Sequence, residues 1–202
     1  MTVSTNLHGS APDQSRVALL LIDVINDLEF PEGAQLLEHA LPMAQRIADL
    51  KRLARQHAVP SIYVNDNFGR WRSDFRAQVQ HCLHDGVRGR PIVELLMPEE
   101  QDYFVLKLKH SGFCATPLQT LLDNLGVETL VLTGMATNIC VLFTANDAYQ
   151  RDYKLVVPAD CCAANTESEH QNALEQMRIV LKADVRPSSM IEWQQIVTGS
   201  ES

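Results

Sequence analysis

The chain has 202 residues, 46% of them apolar, which is enough to bury one full α/β core and is typical of a single domain. Its formal net charge of −8 argues against a nucleic-acid-binding surface. No apolar run approaches the roughly 20 residues that cross a bilayer, and the first residues carry no secretory signal pattern, so we expect a cytoplasmic protein without membrane contact.

Strand-like and helix-like segments alternate along the chain, after a flexible tail that we expect over residues 1–15. Neither a linker nor a repeat divides the remainder, which predicts a single domain over residues 16–202. Alternation with short connections is typical of a parallel sheet covered by helices on both faces. The predicted fold class is therefore α/β, a three-layer α/β/α arrangement around a doubly wound, mostly parallel sheet.

The N-terminal half contributes two strands and a long helix. Val17–Ile22 is a continuous apolar run of the kind that a strand buried on both faces needs, and it leads directly to Asp23. A helix is predicted over Gly33–Gln56, with Pro42 marking either its true start or a break, since proline lacks the N–H that a helix interior uses. The second strand is predicted over Ser61–Val64.

Shorter elements follow in the C-terminal half, after a stretch of short helices over residues 74–98. The further predicted strands are Tyr103–Leu106, Thr129–Thr133 and Lys154–Val157, and the further predicted helices are Pro117–Leu125, Glu167–Leu181 and Met190–Ile196. Gly126 is expected to end the first of these helices, because glycine tolerates the left-handed conformation found at helix C-termini.

The segment Val131–Cys140 is typical of a buried strand that passes through a glycine-bearing turn into a helix opening with a cysteine. A helix N-terminus presents unpaired N–H groups and the positive end of the macrodipole, so we expect the Cys140 thiolate to be favoured there. Thr137 is the expected N-cap, accepting from the Cys140 N–H. The alternative is that Cys140 is a small buried hydrophobic residue, as free cysteines usually are.

An acid, an amine and a thiol each follow a predicted strand. These residues are Asp23, Lys107 and Cys140. Because the C-terminal ends of parallel strands meet at one edge of a sheet, the three side chains can converge. Taken singly, Asp23 could be a loop or cap carboxylate and Lys107 a surface charge. Their joint placement predicts a reactive site.

Four short segments carry a resemblance to a known family. They are Ala18–Asp27, Lys107–Phe113 followed by Thr116, Gly134–Val141, and Asp160–Ala163 with Thr166, Glu167 and His170. In this order they resemble the isochorismatase-like cysteine hydrolases, which include nicotinamidases, N-carbamoylsarcosine amidohydrolase and ureidoacrylate amidohydrolases. The resemblance covers residues 16–185, and several motifs in the right order make it specific.

The resemblance assigns catalytic roles to the three strand-end residues. It implies that Asp23 is the general base that takes the thiol proton of Cys140, while Lys107 holds the two groups in place and favours their charged forms. Lys109 is the competing amine. Lys107 is preferred because it matches the motif spacing and directly ends the apolar run.

The resemblance also implies a cis peptide bond between Met135 and Ala136, just before the cysteine. The N–H groups of Ala136 and Cys140 would then form an oxyanion hole. Cys140 favours cleavage of a C–N bond, in an amide or ureide, through a thioester, since members that cleave a vinyl ether by protonation lack this cysteine. An ether hydrolase and a non-catalytic or redox protein are the alternatives.

Two departures from the family pattern narrow the expected chemistry. Metal-dependent members carry an Asp-x-His pair after the second strand, whereas here Asp66 is followed by Phe68, whose ring cannot ligate zinc. His81 and His84 could share a helix face, but surface histidines are the favoured interpretation. We therefore expect a site without metal or other cofactor. Ile25 stands where many members have glutamine, which weakens the match to any one named activity.

The expected partner is a small-molecule substrate, held near the loop after the second strand. The residues expected to line its pocket are Asn67, Phe68, Trp71, Arg72 and Phe113. Phe68 and Trp71 could equally be packing residues, and Arg72 could simply face water. The resemblance further implies a homo-oligomer, either a dimer or a tetramer.

Overall fold

The computed structural model describes residues 14–69 and 74–199. Most of the expected tail, residues 1–13, lies outside these ranges, as do the expected pocket residues Trp71 and Arg72.

A parallel sheet forms the centre of the described molecule. Its strands are β1 (Val17–Ile22), β2 (Ser61–Asp66), β3 (Tyr103–Lys107), β4 (Thr129–Met135), β5 (Lys154–Val156) and β6 (Cys162–Ala163). The order across the sheet is β3-β2-β1-β4-β5, and β6 pairs with the end of β4. All of these pairs are parallel, which confirms the predicted fold class.

Helices connect the strands and cover both faces of the sheet. They are α1 (Gly33–Gln56), α2 (Phe75–His84), α3 (Arg90–Leu95), α4 (Leu118–Leu125), α5 (Leu142–Tyr149), α6 (Glu167–Val180) and α7 (Trp193–Thr198). Gly126 ends α4 with a φ of 76°, as predicted. Across residues 14–69 and 74–199, no helix is both long enough and apolar enough to span a bilayer.

The central strand β1 explains why its sequence is a continuous apolar run. All six of its residues are buried. Val17, Leu19 and Leu21 pack in the hydrophobic cluster that includes residues of α1. The alternate residues Ala18 and Leu20 pack in the cluster on the other face, with residues of α4 and α6. Because successive side chains of a strand point to opposite faces, a strand covered on both faces cannot alternate with polar residues.

The prediction about Pro42 is wrong, and the last predicted helix begins later than expected. Pro42 neither starts nor breaks α1 but lies inside it. Proline leaves the carbonyl four residues earlier, that of Glu38, without its helical donor. Both Pro42 and Glu38 are exposed, so water can satisfy that carbonyl. The last predicted helix, Met190–Ile196, is present as α7, but it begins at Trp193, and a short 3-10 turn, Ser188–Met190, precedes it.

Candidate active site

The C-terminal edge of the sheet brings the three predicted side chains into contact. Asp23 follows β1, Lys107 ends β3, and Cys140 lies in the turn between β4 and α5. The Lys107 Nζ atom is 2.8 Å from Asp23 Oδ2 and 3.5 Å from Cys140 Sγ. The amine therefore bridges the carboxylate and the sulfur.

The position of Asp23 is fixed by the backbone on either side of it. Its N–H donates to the Val64 carbonyl at 3.0 Å, which extends the pairing of β1 with β2 by one residue. Its φ of 54° is left-handed, a conformation that aspartate tolerates better than most residues. The Asp66 N–H, at the end of β2, donates to Asp23 Oδ1 at 2.7 Å. Both carboxylate oxygens are thus held by neighbours.

The sulfur lies above a buried ion pair. Lys107 is fully buried and Asp23 is 6% exposed, whereas Cys140 is half-buried. Burial raises the pKa of the Asp23 carboxyl, although the Lys107 charge opposes that rise. Burial alone would lower the pKa of Lys107, but the neighbouring Asp23 and Cys140 raise it above its usual value. Lys107 is therefore an ammonium at neutral pH.

The protonation state of Cys140 differs from the prediction. Burial raises the pKa of the thiol to about 12, and the Asp23 charge adds to this effect while the Lys107 charge opposes it. The resting site therefore holds a thiol and not the expected thiolate. The loss of solvation is the largest cause of this rise.

The turn that carries Cys140 also differs from the prediction. Thr137–Val141 is a single π-helical turn, a form often found at functional sites. Thr137 does not cap it, because its Oγ1 is hydrogen-bonded to His170 Nδ1 at 2.9 Å. The turn is closed instead by the Ala136 carbonyl, which accepts from the N–H groups of Ile139 and Val141. The peptide bond between Met135 and Ala136 is cis.

Two further polar side chains reach the site and were not among the predicted residues. The Asp66 Oδ2 atom is 3.6 Å from Lys107 Nζ. The His110 Nδ1 atom is 4.0 Å from Cys140 Sγ, on the exposed side of the sulfur. Asp66 ends a parallel strand, so the rule that indicated Asp23 also applied to it. His110 stands three residues after Lys107 and carries no comparable signal in the sequence.

The expected pocket residues take different places. Asn67 is buried beside the site, where its N–H donates to the Lys107 carbonyl at 3.1 Å. Phe68 is 43% exposed at the start of the following turn. Phe113 was expected in the pocket, but it is a core residue, buried against Tyr153 with a ring-centroid distance of 6.0 Å. Its burial stabilises the fold.

The residues around Asp66 do not fit a metal site. Its carboxylate faces an ammonium, and Phe68 offers no ligand. The His81 ring lies between two carboxylates on the surface, 3.2 Å from Asp27 and 2.7 Å from Asp85. In the part of the chain that the structure describes, no group of three His, Cys, Asp or Glu side chains is placed to hold a metal ion.

Sequence comparisons identify relatives over nearly the whole chain. The family model described as "Isochorismatase domain" matches residues 17–186. The isochorismatase family protein YaaI of Bacillus subtilis is 42% identical over 174 residues, which cover 86% of this chain and 95% of that protein. Ureidoacrylate amidohydrolase RutB of Methylorubrum extorquens is 43% identical over 81 residues, but these cover only 40% of this chain and 33% of the relative.

Solved structures share the same architecture. N-carbamoylsarcosine amidase from Thermoplasma acidophilum is 27% identical, with a TM-score of 0.66 over 88% of this chain and 99% of that one. An isochorismatase family protein from Desulfovibrio vulgaris is also 27% identical, with a TM-score of 0.70 over 87% and 96% of the two chains. The nicotinamidase of Staphylococcus aureus, at 22% identity and a TM-score of 0.63, shares the fold.

Proposed function

Because this chain belongs to the isochorismatase family and is a hydrolase, we propose that it cleaves a C–N bond of a small amide or ureide, with Cys140 as the nucleophile. The observation that supports this proposal is the contact of Lys107 with both Asp23 and Cys140 at the sheet edge. Covalent amide hydrolysis requires a nucleophile with a base beside it, and a thiol and a carboxylate supply these two groups, while the ammonium between them can stabilise their charged forms.

The first step proceeds from the protonated thiol. Asp23 accepts the thiol proton while the sulfur attacks the substrate carbonyl carbon. The Lys107 ammonium stays charged and stabilises each anion in turn, first the carboxylate and then the forming thiolate. The high pKa of Cys140 explains why a base is needed, since a thiol with a pKa of about 12 is almost entirely protonated at neutral pH.

The negative charge that develops on the carbonyl oxygen needs hydrogen-bond donors. We assign this role to the backbone N–H groups of Ala136, which directly precedes the turn that carries the sulfur, and of Cys140, which lies within that turn. When the C–N bond breaks, Asp23 returns the proton to the leaving nitrogen. The acyl group remains on Cys140 as a thioester, which water then hydrolyses.

The experiment is a screen of small amides and ureides with three proteins, the wild type, Cys140→Ala and Cys114→Ser. Cys114 is the matched control, because it is an exposed free cysteine outside the site. The wild type should hydrolyse at least one compound and carry its acyl group on Cys140 in intact-mass and peptide-mass spectra. Cys140→Ala should lose at least about 10³-fold in rate and all of the adduct, whereas Cys114→Ser should retain both.

Two outcomes would contradict the proposal. Turnover that persists in Cys140→Ala would exclude the thioester route and favour the ether-hydrolase alternative. A Cys140 that takes no acyl group from any compound, in a wild type that turns none over, would favour a non-catalytic protein.

A further inference from the structure

His110 occupies the exposed side of the reactive sulfur. It lies on the loop that follows β3, and its Nδ1 atom is 4.0 Å from Cys140 Sγ. The ring also contacts Phe143 of α5, with centroids 5.3 Å apart and planes tilted by 57°. Because Phe143 belongs to the helix that directly follows the nucleophile turn, this contact lies next to the turn that carries the sulfur.

The other proton-carrying groups of the site are buried, whereas His110 is exposed. Asp23 and Lys107 are 6% and 0% exposed. Both oxygens of Asp23 are already held, one by Lys107 and one by the Asp66 N–H. The water that cleaves an acyl group from Cys140 arrives from solvent, on the side where His110 stands. A base for this water is best placed on that side.

We propose that His110 is a further catalytic residue, which takes a proton from the water that hydrolyses the Cys140 thioester. This inference rests on the proposed function, because it requires an acyl group on the sulfur. In this mechanism Asp23 transfers the protons of the acylation step, and His110 transfers the protons of the deacylation step.

The proton balance of this second step is closed without any further reactant. The water oxygen bonds to the thioester carbon as one water proton passes to His110 Nδ1. When the tetrahedral intermediate collapses, the C–S bond breaks and the carboxylic acid product leaves. The proton on Nδ1 then passes to the departing sulfur, which is 4.0 Å away in the resting site. His110 and Cys140 thus both return to their neutral forms.

The test isolates deacylation by using p-nitrophenyl acetate as the acyl donor. Its leaving group departs without a proton, so acetylation of Cys140 does not depend on a group that protonates a nitrogen. The acetyl-enzyme is followed by intact mass after excess donor is removed, in the wild type, His110→Gln, His110→Ala and Lys109→Gln. Lys109 is the matched control, because it is an exposed cation on the same loop.

Loss of the base should slow deacylation specifically. In His110→Gln we expect the acetyl-enzyme to decay about 10²-fold more slowly than in the wild type, while the rate of acetylation changes much less. Added imidazole should accelerate decay in His110→Ala far more than in Lys109→Gln, which a purely structural role of His110 would not produce.

The outcomes separate the two proposals. An acetyl group that forms on Cys140 but decays at the wild-type rate in His110→Gln would overturn the role of His110 and leave the nucleophile in place. A decay that slows equally in Lys109→Gln, or that imidazole does not restore, would also overturn it. A folded wild type whose Cys140 takes no acetyl group would contradict both proposals.

Discussion

The carboxylate of Asp23 has two opposing effects on the sulfur in the proposed mechanism. It is the base that removes the thiol proton, and its charge is one of the causes that raise the pKa of that thiol. Lys107 acts in the opposite direction on the thiol. In the proposed mechanism the resting site therefore holds no preformed thiolate. The sulfur becomes nucleophilic only when its proton passes from Cys140 to Asp23.

Replacing Asp23 by asparagine separates these two effects. The substitution removes the negative charge that raises the thiol pKa and leaves the Lys107 ammonium that lowers it, so the pKa of Cys140 should fall. Near neutral pH the thiolate fraction then rises, and alkylation of Cys140 by iodoacetamide should be at least about tenfold faster than in the wild type. Amide hydrolysis should nevertheless be lost, because no carboxyl group remains to give a proton to the leaving nitrogen.

Peptide mass spectrometry at several pH values measures this rate for Cys140 alone, with Cys114 as the internal reference. The alkylation rate of Cys114 should be the same in the wild type and in Asp23→Asn. A slower reaction of Cys140 in Asp23→Asn would mean that the carboxylate activates the resting thiol, contrary to the direction given by its charge.

Among the residues of the candidate site, those that stand at the ends of strands could be predicted from the sequence. Asp23 and Lys107 adjoin buried apolar runs, so the convergence of parallel strands places them without further information. His110 reaches the sulfur through a loop whose course depends on packing against Phe143, and no local pattern encodes that contact. Phe113 belongs to the same motif as Lys107, but its ring is buried in the hydrophobic core.

Among the elements, the end of β4 carries the strictest local constraint. Gly134 pairs with Ile22 at the end of β1. Its φ is 113°, a backbone conformation that residues with a Cβ atom rarely adopt. A Cβ atom at this position would lie 2.1 Å from the Ile22 carbonyl oxygen, closer than any real contact. The two strands that deliver Asp23 and Cys140 can approach this closely only because residue 134 is glycine.

Gly134→Ala is therefore expected to lower the free energy of unfolding by at least about 4 kcal/mol. Gly86→Ala is the matched control, because Gly86 also has a positive φ, of 70°, but no atom lies within 4 Å of the added methyl group. The control should lose only about 1–2 kcal/mol, the cost of the left-handed conformation alone. Urea denaturation of both variants measures the difference. Equal losses would show that the close approach of β1 and β4 contributes nothing.

The elements themselves differ in how far sequence could predict them. Continuous apolar runs and a glycine after a helix have local physical causes, so β1 and the end of α4 were predicted well. The π-helical turn before α5 was not, because it depends on the Ala136 carbonyl and on the contact of Thr137 with His170, a residue 33 positions away. Pro42 shows the reverse case, in which solvent exposure makes a helix breaker tolerable.

For the whole molecule, the two hydrophobic clusters on opposite faces of the sheet account for the layered architecture. The alternation of strands and helices predicted this arrangement, because each helix must bury its apolar side against the sheet. The alternation of strands and helices does not predict which apolar side chains stay at the surface. Some large apolar side chains remain half exposed, including Phe104 on the edge strand β3, Phe143 on α5 and Val180 at the end of α6.

Association into homo-oligomers is the prediction that belongs to this scale. Half-exposed apolar side chains are stabilised when a second copy covers them, and light scattering should give a mass at least twice the 22.6 kDa of one chain. Since each copy carries a net charge of −8, copies repel one another at low ionic strength and added salt screens that repulsion. The mass should therefore stay constant or rise in high salt. A single 22.6 kDa species would contradict the prediction, and an oligomer that salt dissociates would indicate contacts held by charge.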